Sequence, residues 1–275
     1  MFRPEQNPSH RLQNGFQLTS RTLPTLVELY AKGSSIASIS SLTSLPRERI
    51  RLLLHGAGVQ MRRTYAIYHA PIMELNYDSA MLLGLHAGDG HLSNAWGLSI
   101  CRKDIAMGER VVNLVRNVLG VEPGINYRKD GYFIVRCGKP QVFEFFEHFG
   151  FRRGRKATTV SVPPLVAGST DLRVIIGFLT GAFSSDGCFS YTRNWGQCRF
   201  VVSSVSFRDG FVELASKLGF GFHSYSYPHR TGHNKLPLNT AYIGSRSEVI
   251  RWMETVGSIS DTHLERYRNW RSKRF

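Results

Sequence analysis

The chain has 275 residues and a formal net charge of +15, with 35 lysines and arginines against 20 aspartates and glutamates. This excess of positive charge indicates a polyanionic partner, either nucleic acid or an acidic membrane. The sequence has no run of about 18 apolar residues, which disfavours a membrane role. The start, MFRPEQNPSH, lacks an apolar segment, so no secretory signal is predicted. Four cysteines without CxxC spacing are interpreted as reduced core thiols of a cytosolic protein: Cys101, Cys137, Cys188 and Cys198.

The N-terminal part of the chain predicts a small helical module. Residues 1–20 are polar and are expected to form a loose tail, and residues 22–58 carry three short apolar patterns at helical spacing. Pro46 opens the third pattern, RERIRLLLH, as proline does in a first helical turn. This arrangement resembles a helix-turn-helix, and its third helix would present these DNA-binding residues: Arg47, Arg49 and Arg51. The alternative is a packing or dimerisation module with a solvated arginine face.

Residues 59–75 are interpreted as a linker to the rest of the chain. They include Arg62 and Arg63, which we expect to contact phosphate groups of a nucleic acid.

Two similar apolar stretches, Leu82–Gly90 (LLGLHAGDG) and Leu179–Gly187 (LTGAFSSDG), dominate the remaining sequence. Each predicts a helix that ends in Asp-Gly, and the aspartates, Asp89 and Asp186, are 97 residues apart. Small residues four positions apart allow two helix backbones to approach closely. The strips that would meet are Gly84 with Gly88, and Gly181 with Ser185. Gly90 and Gly187 are expected to adopt the left-handed conformation at the helix ends.

If the two helices pack side by side, the carboxylates of Asp89 and Asp186 lie a few Å apart. Two such carboxylates repel each other unless a cation compensates their charge, and a hard divalent ion such as Mg²⁺ or Ca²⁺ suits oxygen ligands. Carboxylates that share metal ions suit phosphodiester hydrolysis. One such helix is an ordinary structural feature, because Asp-Gly is a common turn pair, but two copies at a repeat-sized interval favour a functional site.

These two stretches resemble the paired motifs of single-chain LAGLIDADG homing endonucleases, over residues 75–270. The resemblance implies an α+β fold, in which two pseudo-symmetric αββαββα repeats (residues 76–165 and 166–275) form a saddle. It implies a monomer that cuts both strands of DNA with two or three Mg²⁺ ions shared by Asp89 and Asp186. The chain departs from the family pattern at variable positions of the motif: Ala87, Gly88, Ser184 and Ser185.

A second internal match supports a duplication. Leu119-Gly120 and Leu218-Gly219 are 99 residues apart, close to the spacing of the aspartates. Asp104 and Asp209 are each expected to open the helix that ends at the corresponding Leu-Gly pair.

The resemblance also implies residues that contact DNA and residues that stabilise charge at the scissile phosphates. Basic residues after the last helix of each repeat are the candidates for the second role: Arg153, Lys156 and His263. Alternate residues of a strand in the major groove would face base edges, whereas loop arginines and lysines would bind phosphate. The candidates in the repeats are His91, Asn94, Arg128, Lys129, Arg136, Arg193, Asn194, Gln197, Arg199, Arg230 and Lys235.

The sequence therefore favours a sequence-specific, Mg²⁺-dependent double-strand DNA endonuclease. We expect it in the cytoplasm or at the nucleoid, in a prokaryotic, phage or organellar context. A non-cleaving DNA-binding transcription regulator and an RNA-splicing maturase on the same fold remain alternatives. An intein is disfavoured, because the chain has no N-terminal Cys or Ser and no C-terminal His-Asn pair.

Overall fold

The computed structural model describes residues 22–32, 34, 36–59, 73–193, 195–227 and 236–273. The chain divides into two units, residues 1–66 and residues 67–275. Within the described ranges, no helix is long and apolar enough to cross a bilayer.

The first unit contains three short helices: α1 (Thr22–Ala31), α2 (Ile36–Thr43) and α3 (Arg47–Gly56). They bury one apolar cluster of Leu26, Tyr30, Ile39, Ile50 and Leu54. Ser44 adopts a positive φ of 57° in the turn before Pro46, which directly precedes α3. The arginines of α3 that are predicted to contact DNA are all exposed: Arg47, Arg49 and Arg51.

The second unit contains two repeats of the same element order. The elements of the first repeat are α4 (Tyr77–Ala87), β1 (Gly90–Ser93), β2 (Gly97–Arg102), α5 (Ile105–Leu119), β3 (Gly124–Tyr127), β4 (Phe133–Cys137) and α6 (Pro140–His148). A short helix, α7 (Pro164–Ala167), follows. The elements of the second repeat are α8 (Leu172–Asp186), β5 (Gly187–Thr192), β6 (Trp195–Val202), α9 (Val205–Lys217), β7 (His223–Tyr227), β8 (Leu238–Ile243) and α10 (Arg246–Thr255), with α11 (Asp261–Arg271) after them.

Each repeat forms one antiparallel sheet of four strands, in the order β1-β2-β4-β3 and β5-β6-β8-β7. The order along each repeat is therefore αββαββα, and the predicted α+β class is confirmed. One face of each sheet is apolar and buried, as in Ile100 and Val135 of the first sheet and Phe200 and Ala241 of the second. We call the opposite, more polar faces of the two sheets the outer faces.

The two motif helices, α4 and α8, pack against each other through their glycines. A Cβ atom on Gly84 would collide with the backbone of Phe178 and Ala182, and a Cβ atom on Gly181 would collide with the backbone of Met81 and Leu85. The predicted close approach of the small-residue strips is thus confirmed, and it brings the C-terminal ends of both helices together.

Gly90 and Gly187 end the two motifs for a different reason from the predicted one. Neither has a positive φ: Gly187 begins β5 directly after α8, and Gly90 begins β1 after a two-residue turn that follows α4. A Cβ atom on Gly90 would collide with His86, and one on Gly187 would collide with Phe183, four residues earlier in each helix. The chain turns so tightly from helix to strand that only glycine fits at this point.

The start of α9 also differs from the prediction. Asp104 caps α5 as expected, because its side chain accepts a hydrogen bond from the Met107 N–H at 3.2 Å. In the second repeat the corresponding cap is Ser204, which accepts from the Phe207 N–H, and Asp209 lies inside the helix. The earlier start allows Phe207 to pack against Phe200 of the sheet.

Candidate functional site

The two motif aspartates lie where α4 and α8 end. Asp186 is the last residue of α8, and Asp89 lies in the turn between α4 and β1. A Cβ atom built on Gly88 would be 2.8 Å from Asp186 Oδ2, so the carboxylate of the second motif lies against the backbone of the first. Residues 97 positions apart in the sequence therefore form one acidic pair.

Two cations contact this acidic pair and the helix ends. Arg102, at the end of β2, donates from Nη1 to Asp89 Oδ2 at 2.8 Å and also to the Ser185 carbonyl oxygen. Lys156 donates from Nζ to the carbonyl oxygens of Ala87 and Gly88, at 2.6 Å each. Because helix C-termini carry partial negative charge, each cation compensates one helix end as well as the carboxylates.

Burial outweighs the effect of these cations on the pKa of both carboxylates. Burial raises the pKa of Asp89 to about 6, against the opposing effect of Arg102 and Lys156. Burial, followed by repulsion from Asp89, raises the pKa of Asp186 as well. Burial lowers the pKa of Lys156, although the two aspartates oppose that shift. A site that disfavours its own charged carboxylates is one that a further cation would stabilise.

Two clefts flank the acidic pair, one on each side. The first cleft has a volume of about 400 Å³ and is lined by Asp186 and Lys156, together with His91 and Val202. The second has a volume of about 430 Å³ and is lined by Asp89, Arg102 and His263, among others. Each cleft therefore contains one carboxylate and at least one cation.

The strand registers relate the two clefts position by position. Gly90 pairs with Ile100 in the first sheet, as Gly187 pairs with Phe200 in the second, so Arg102 corresponds to Val202. Arg102 thus places a cation in the second cleft, whereas the corresponding residue in the first cleft, Val202, is apolar.

The segments after the last helix of each repeat, α6 and α10, also carry different residues at corresponding positions. Gly150 and Gly257 both have positive φ values, 88° and 66°, and Lys156 and His263 each follow six residues later. This segment therefore places the cation Lys156 in the first cleft, whereas strand β2 places the cation Arg102 in the second.

His263, the predicted basic residue of the second repeat, lines the second cleft but is buried and hydrogen-bonded to its surroundings. Its Nδ1 atom is 2.9 Å from Ser258 Oγ, and burial, followed by the nearby charge of Arg102, lowers its pKa to about 4. The imidazole is therefore neutral at neutral pH, which does not match the cationic role proposed for it.

Polar contacts within the second unit hold the segment that carries His263. Asp104 accepts a hydrogen bond from Ser260 Oγ at 2.6 Å, and Ser184 Oγ accepts from the Ile259 N–H at 2.9 Å. Ser184 is one of the departures from the family motif, and its buried hydroxyl holds the backbone of this segment in place through the hydrogen bond from Ile259.

Arg153, the other predicted catalytic cation, has different partners from those of the acidic pair. Its guanidinium binds Glu147 Oε1 at 2.7 Å and Asn94 Oδ1 at 2.9 Å, and it lies over the Phe143 ring. Arg153 lines neither of the two clefts that flank the aspartates.

The cation that sequence reasoning missed is Arg102. An alignment of the second strands of the two repeats would have shown a charge opposite an apolar residue there.

The predicted DNA-contacting residues divide according to their position on the sheets. Those on the outer faces are His91, Arg136, Gln197 and Arg199. Those in exposed turns or past strand ends are Asn94, Arg128, Lys129 and Arg193. Arg128 forms an ion pair of 2.7 Å with Asp130, and Arg136 lies over the Trp96 ring. Five further candidates lie outside the described residues: Arg62, Arg63, Asn194, Arg230 and Lys235.

The outer faces and the acidic pair open on the same side of the second unit. His91 and Val201 of the outer faces line the first cleft, and Cys101 and Cys188 line the second. A ligand that lies across the two outer faces would therefore cover the acidic pair.

All four cysteines are free thiols, but only Cys137 and Cys198 are core residues as predicted.

The donor set at the acidic pair fits Mg²⁺. Two carboxylates and the carbonyl oxygens at the helix ends are hard oxygen donors, which this ion prefers. Among the described residues, no group of three or more His, Cys, Asp or Glu side chains could hold a metal ion. Mg²⁺ is commonly held by one or two carboxylates together with water and substrate phosphates, so two carboxylates suffice for a site completed by its substrate.

The topology and the paired motifs together identify the fold. Both repeats have the order αββαββα, and their first helices meet with Asp89 and Asp186 at their ends. The fold is of the LAGLIDADG type.

The chain is similar to several solved structures at low sequence identity. Neither a protein-family model nor a curated protein sequence matches the chain. Among solved structures, the N-terminal LAGLIDADG domain of DUF199/WhiA is 16% identical, with a TM-score of 0.46 over 72% of this chain and 94% of that chain. I-DmoI in complex with its target DNA in the presence of Mg is 16% identical, with a TM-score of 0.44 over 66% of this chain and 95% of that chain. The I-SmaMI LAGLIDADG homing endonuclease bound to cleaved DNA is 12% identical, with a TM-score of 0.44 over 70% and 87% of the two chains.

Proposed function

We propose that this protein is a sequence-specific double-strand DNA endonuclease that uses Mg²⁺ at the Asp89–Asp186 pair. The observation that carries the proposal is the convergence of two carboxylates with raised pKa values between two clefts that each contain a cation. The net charge of +15 suits a polyanionic substrate, and the outer faces of the sheets provide an extended surface on the same side as the acidic pair.

The two clefts suit the two scissile phosphates of a duplex. One phosphate in each cleft would lie beside one carboxylate and one cation, Lys156 in the first cleft and Arg102 in the second. When bound, Mg²⁺ supplies Lewis acidity and lowers the pKa of an attacking water. The carboxylates hold the ion, and Lys156 and Arg102 stabilise the negative charge that develops on the phosphate in the transition state.

The proposal is tested by selection of cleaved sites from a randomised duplex library in Mg²⁺, with the Asp89→Asn and Asp186→Asn variants in parallel. We expect enriched cut sites for the natural protein and none for either variant, while both variants bind the selected site in Ca²⁺ about as well as the natural protein. Full cutting by either variant would contradict a shared catalytic pair.

A non-cleaving DNA-binding regulator is the second candidate, and the Arg102–Asp89 ion pair favours it. This contact neutralises one of the two carboxylates with a protein side chain at 2.8 Å, so the acidic pair has a partial counter-ion of its own. The three-helix first unit, with its exposed arginines on α3, also fits such a role. Enrichment of bound duplexes without any cleavage in Mg²⁺ or Mn²⁺ would favour the regulator over the nuclease.

A further inference from the structure

The outer faces of the two sheets can be compared residue by residue, because their registers match. In the first sheet Ile100 pairs with Val135, and in the second Phe200 pairs with Ala241. Arg136 in the first sheet therefore corresponds to Tyr242 in the second. The edge strands β3 and β7 continue the match, with Asn126 at the position of Tyr225.

The matched positions carry different chemistry in the two sheets. On the first outer face they are Gly124, Asn126 and Arg136, with Arg128 just past the end of β3, and on the second they are His223, Tyr225, Tyr242 and Tyr227. A glycine and side chains with amide or guanidinium groups in the first sheet thus correspond to aromatic rings in the second. The two halves of a ligand that spans both faces would meet different surfaces.

The four rings form one continuous cluster. The His223 and Tyr242 ring centroids are 5.3 Å apart, those of Tyr225 and Tyr242 are 6.0 Å apart, and Tyr225 and Tyr227 stack at 5.7 Å. Tyr225 and Tyr227 nevertheless remain 43% and 38% exposed. An exposed cluster of this kind indicates a contact surface, because large apolar groups are otherwise left in water.

The neighbours of the cluster extend its apolar character toward the acidic pair. Thr240, which is itself fully buried, pairs with Tyr225 across the sheet and with Val201 on its other side, and the partly exposed Val201 lines the first cleft. Arg199 pairs with Tyr242, so a cation lies beside the rings. The surface therefore combines the rings and the Val201 side chain with a charge that suits a phosphate backbone.

Among the base edges in the major groove, thymine alone presents a methyl group, and proteins read it by apolar contact. Arginine and asparagine instead pair with guanine and adenine through hydrogen bonds. We infer that the aromatic cluster of the second sheet reads a half-site rich in thymine methyl groups, whereas the first sheet reads purines through residues such as Arg136. This inference rests on the proposed binding of double-stranded DNA.

The test begins with a bound site selected by the full-length protein from a randomised duplex library. Thymines are then replaced by deoxyuridine in one half-site at a time, which removes only the C5 methyl groups. We expect the substitution to weaken binding in one half-site, by about fourfold for each methyl group in contact with the protein, from the free energy of burying one methylene-sized group. Substitution in the other half-site should leave the dissociation constant unchanged.

Variants at matched positions assign the effect to the aromatic cluster. Tyr225→Ser should reduce the discrimination between thymine and deoxyuridine, and Tyr225→Phe should preserve it, because the ring and not the hydroxyl makes the contact. Asn126→Ser, at the matched position of the first sheet, should leave that discrimination intact. Both positions are exposed, so we expect the three variants to fold.

The outcomes separate this inference from the proposed function. Tight duplex binding with no deoxyuridine penalty in either half-site would overturn the inference and leave the DNA-binding proposal standing. Failure to bind any duplex would overturn both. Preferential binding of single-stranded RNA that Tyr225→Ser abolishes would overturn the inference too, because it would assign the rings to stacking on unpaired bases.

Discussion

Arg102 forms an ion pair of 2.8 Å with Asp89, whereas the residue that corresponds to it in the second repeat is Val202. The side chains of Arg102 and Asp89 are only 21% and 23% exposed. Charge-assisted hydrogen bonds of low exposure are stronger than surface ion pairs. The acidic pair therefore has unequal surroundings on its two sides, and this asymmetry leads to the first prediction.

Loss of Arg102 or of Lys156 should slow cleavage of different DNA strands. Arg102→Met removes the cation that contacts Asp89 at the second cleft, and Lys156→Met removes the cation that contacts the end of α4 at the first cleft. Since removal of one charge-stabilising donor costs on the order of 10²-fold in rate, each variant should accumulate nicked plasmid, and strand-specific labels should identify opposite strands. His263→Lys should partly rescue Arg102→Met, because it places a cation at the position that corresponds to Lys156. Equal slowing of both strands by each variant would contradict the assignment of one cation to each cleft.

Replacement of Asp89 by asparagine should stabilise the protein at neutral pH in the absence of metal ions. The pKa of Asp89 is raised from 3.8 to about 6 in the folded protein, so the folded state holds this proton more tightly than the unfolded chain. The proton bound to Asp89 therefore stabilises the folded state fully below about pH 4, and this stabilisation is lost as the pH rises through about 6. We expect Asp89→Asn to raise the free energy of unfolding by roughly 1–3 kcal/mol at about pH 7 in EDTA, and to leave it unchanged near pH 4.

Thermal unfolding between about pH 4 and 8, with and without Mg²⁺, measures this effect. Mg²⁺ should raise the Tm of the natural protein more than that of Asp89→Asn, because ligand binding stabilises only the form that contains the site. Asp130→Asn, at an exposed turn, is the matched control and should follow the natural protein. A variant that is less stable than the natural protein at neutral pH would show that the Arg102 contact outweighs the cost of burial.

The contact between α4 and α8 should tolerate no side chain at its glycines. Gly84→Ala and Gly181→Ala each place a methyl group against the backbone of the facing helix, which cannot move away as a flexible side chain does. We expect a loss of about 1–3 kcal/mol or more in unfolding free energy, read from chemical denaturation. Gly124→Ala is the control, since the nearest atom to its Cβ would be 3.9 Å away. Comparable stability of all three variants would refute the tight helix contact.

The exposed arginines of α3 should contribute to DNA affinity through phosphate contacts. A triple variant in which Arg47, Arg49 and Arg51 are replaced by glutamine keeps the apolar core of the first unit. If all three contact phosphates, the slope of log K against log salt should fall in magnitude by about 2.7, from about 0.9 for each contact. An unchanged slope would instead favour the packing or dimerisation role of this unit.

The duplication, the two aspartates and the glycine strips were predictable from the order of the amino acids. These features are local: each motif repeats its residues in order, and small residues at helical spacing permit only one kind of close contact. Asp89 and Asp186 could therefore be assigned to one site from the sequence alone, and the αββαββα order followed from the family resemblance.

The cations that serve this site, and the chemistry of the outer faces, depend instead on how distant parts of the chain meet. Arg102 and Lys156 reach the acidic pair from a strand end and from a loop, through strand registers that no local pattern encodes. The burial that makes His263 neutral comes from contacts with residues distant in the sequence, such as Phe183. The difference between Arg136 and Tyr242 emerges only when the registers of the two sheets are matched, because pairing between strands depends on the whole fold.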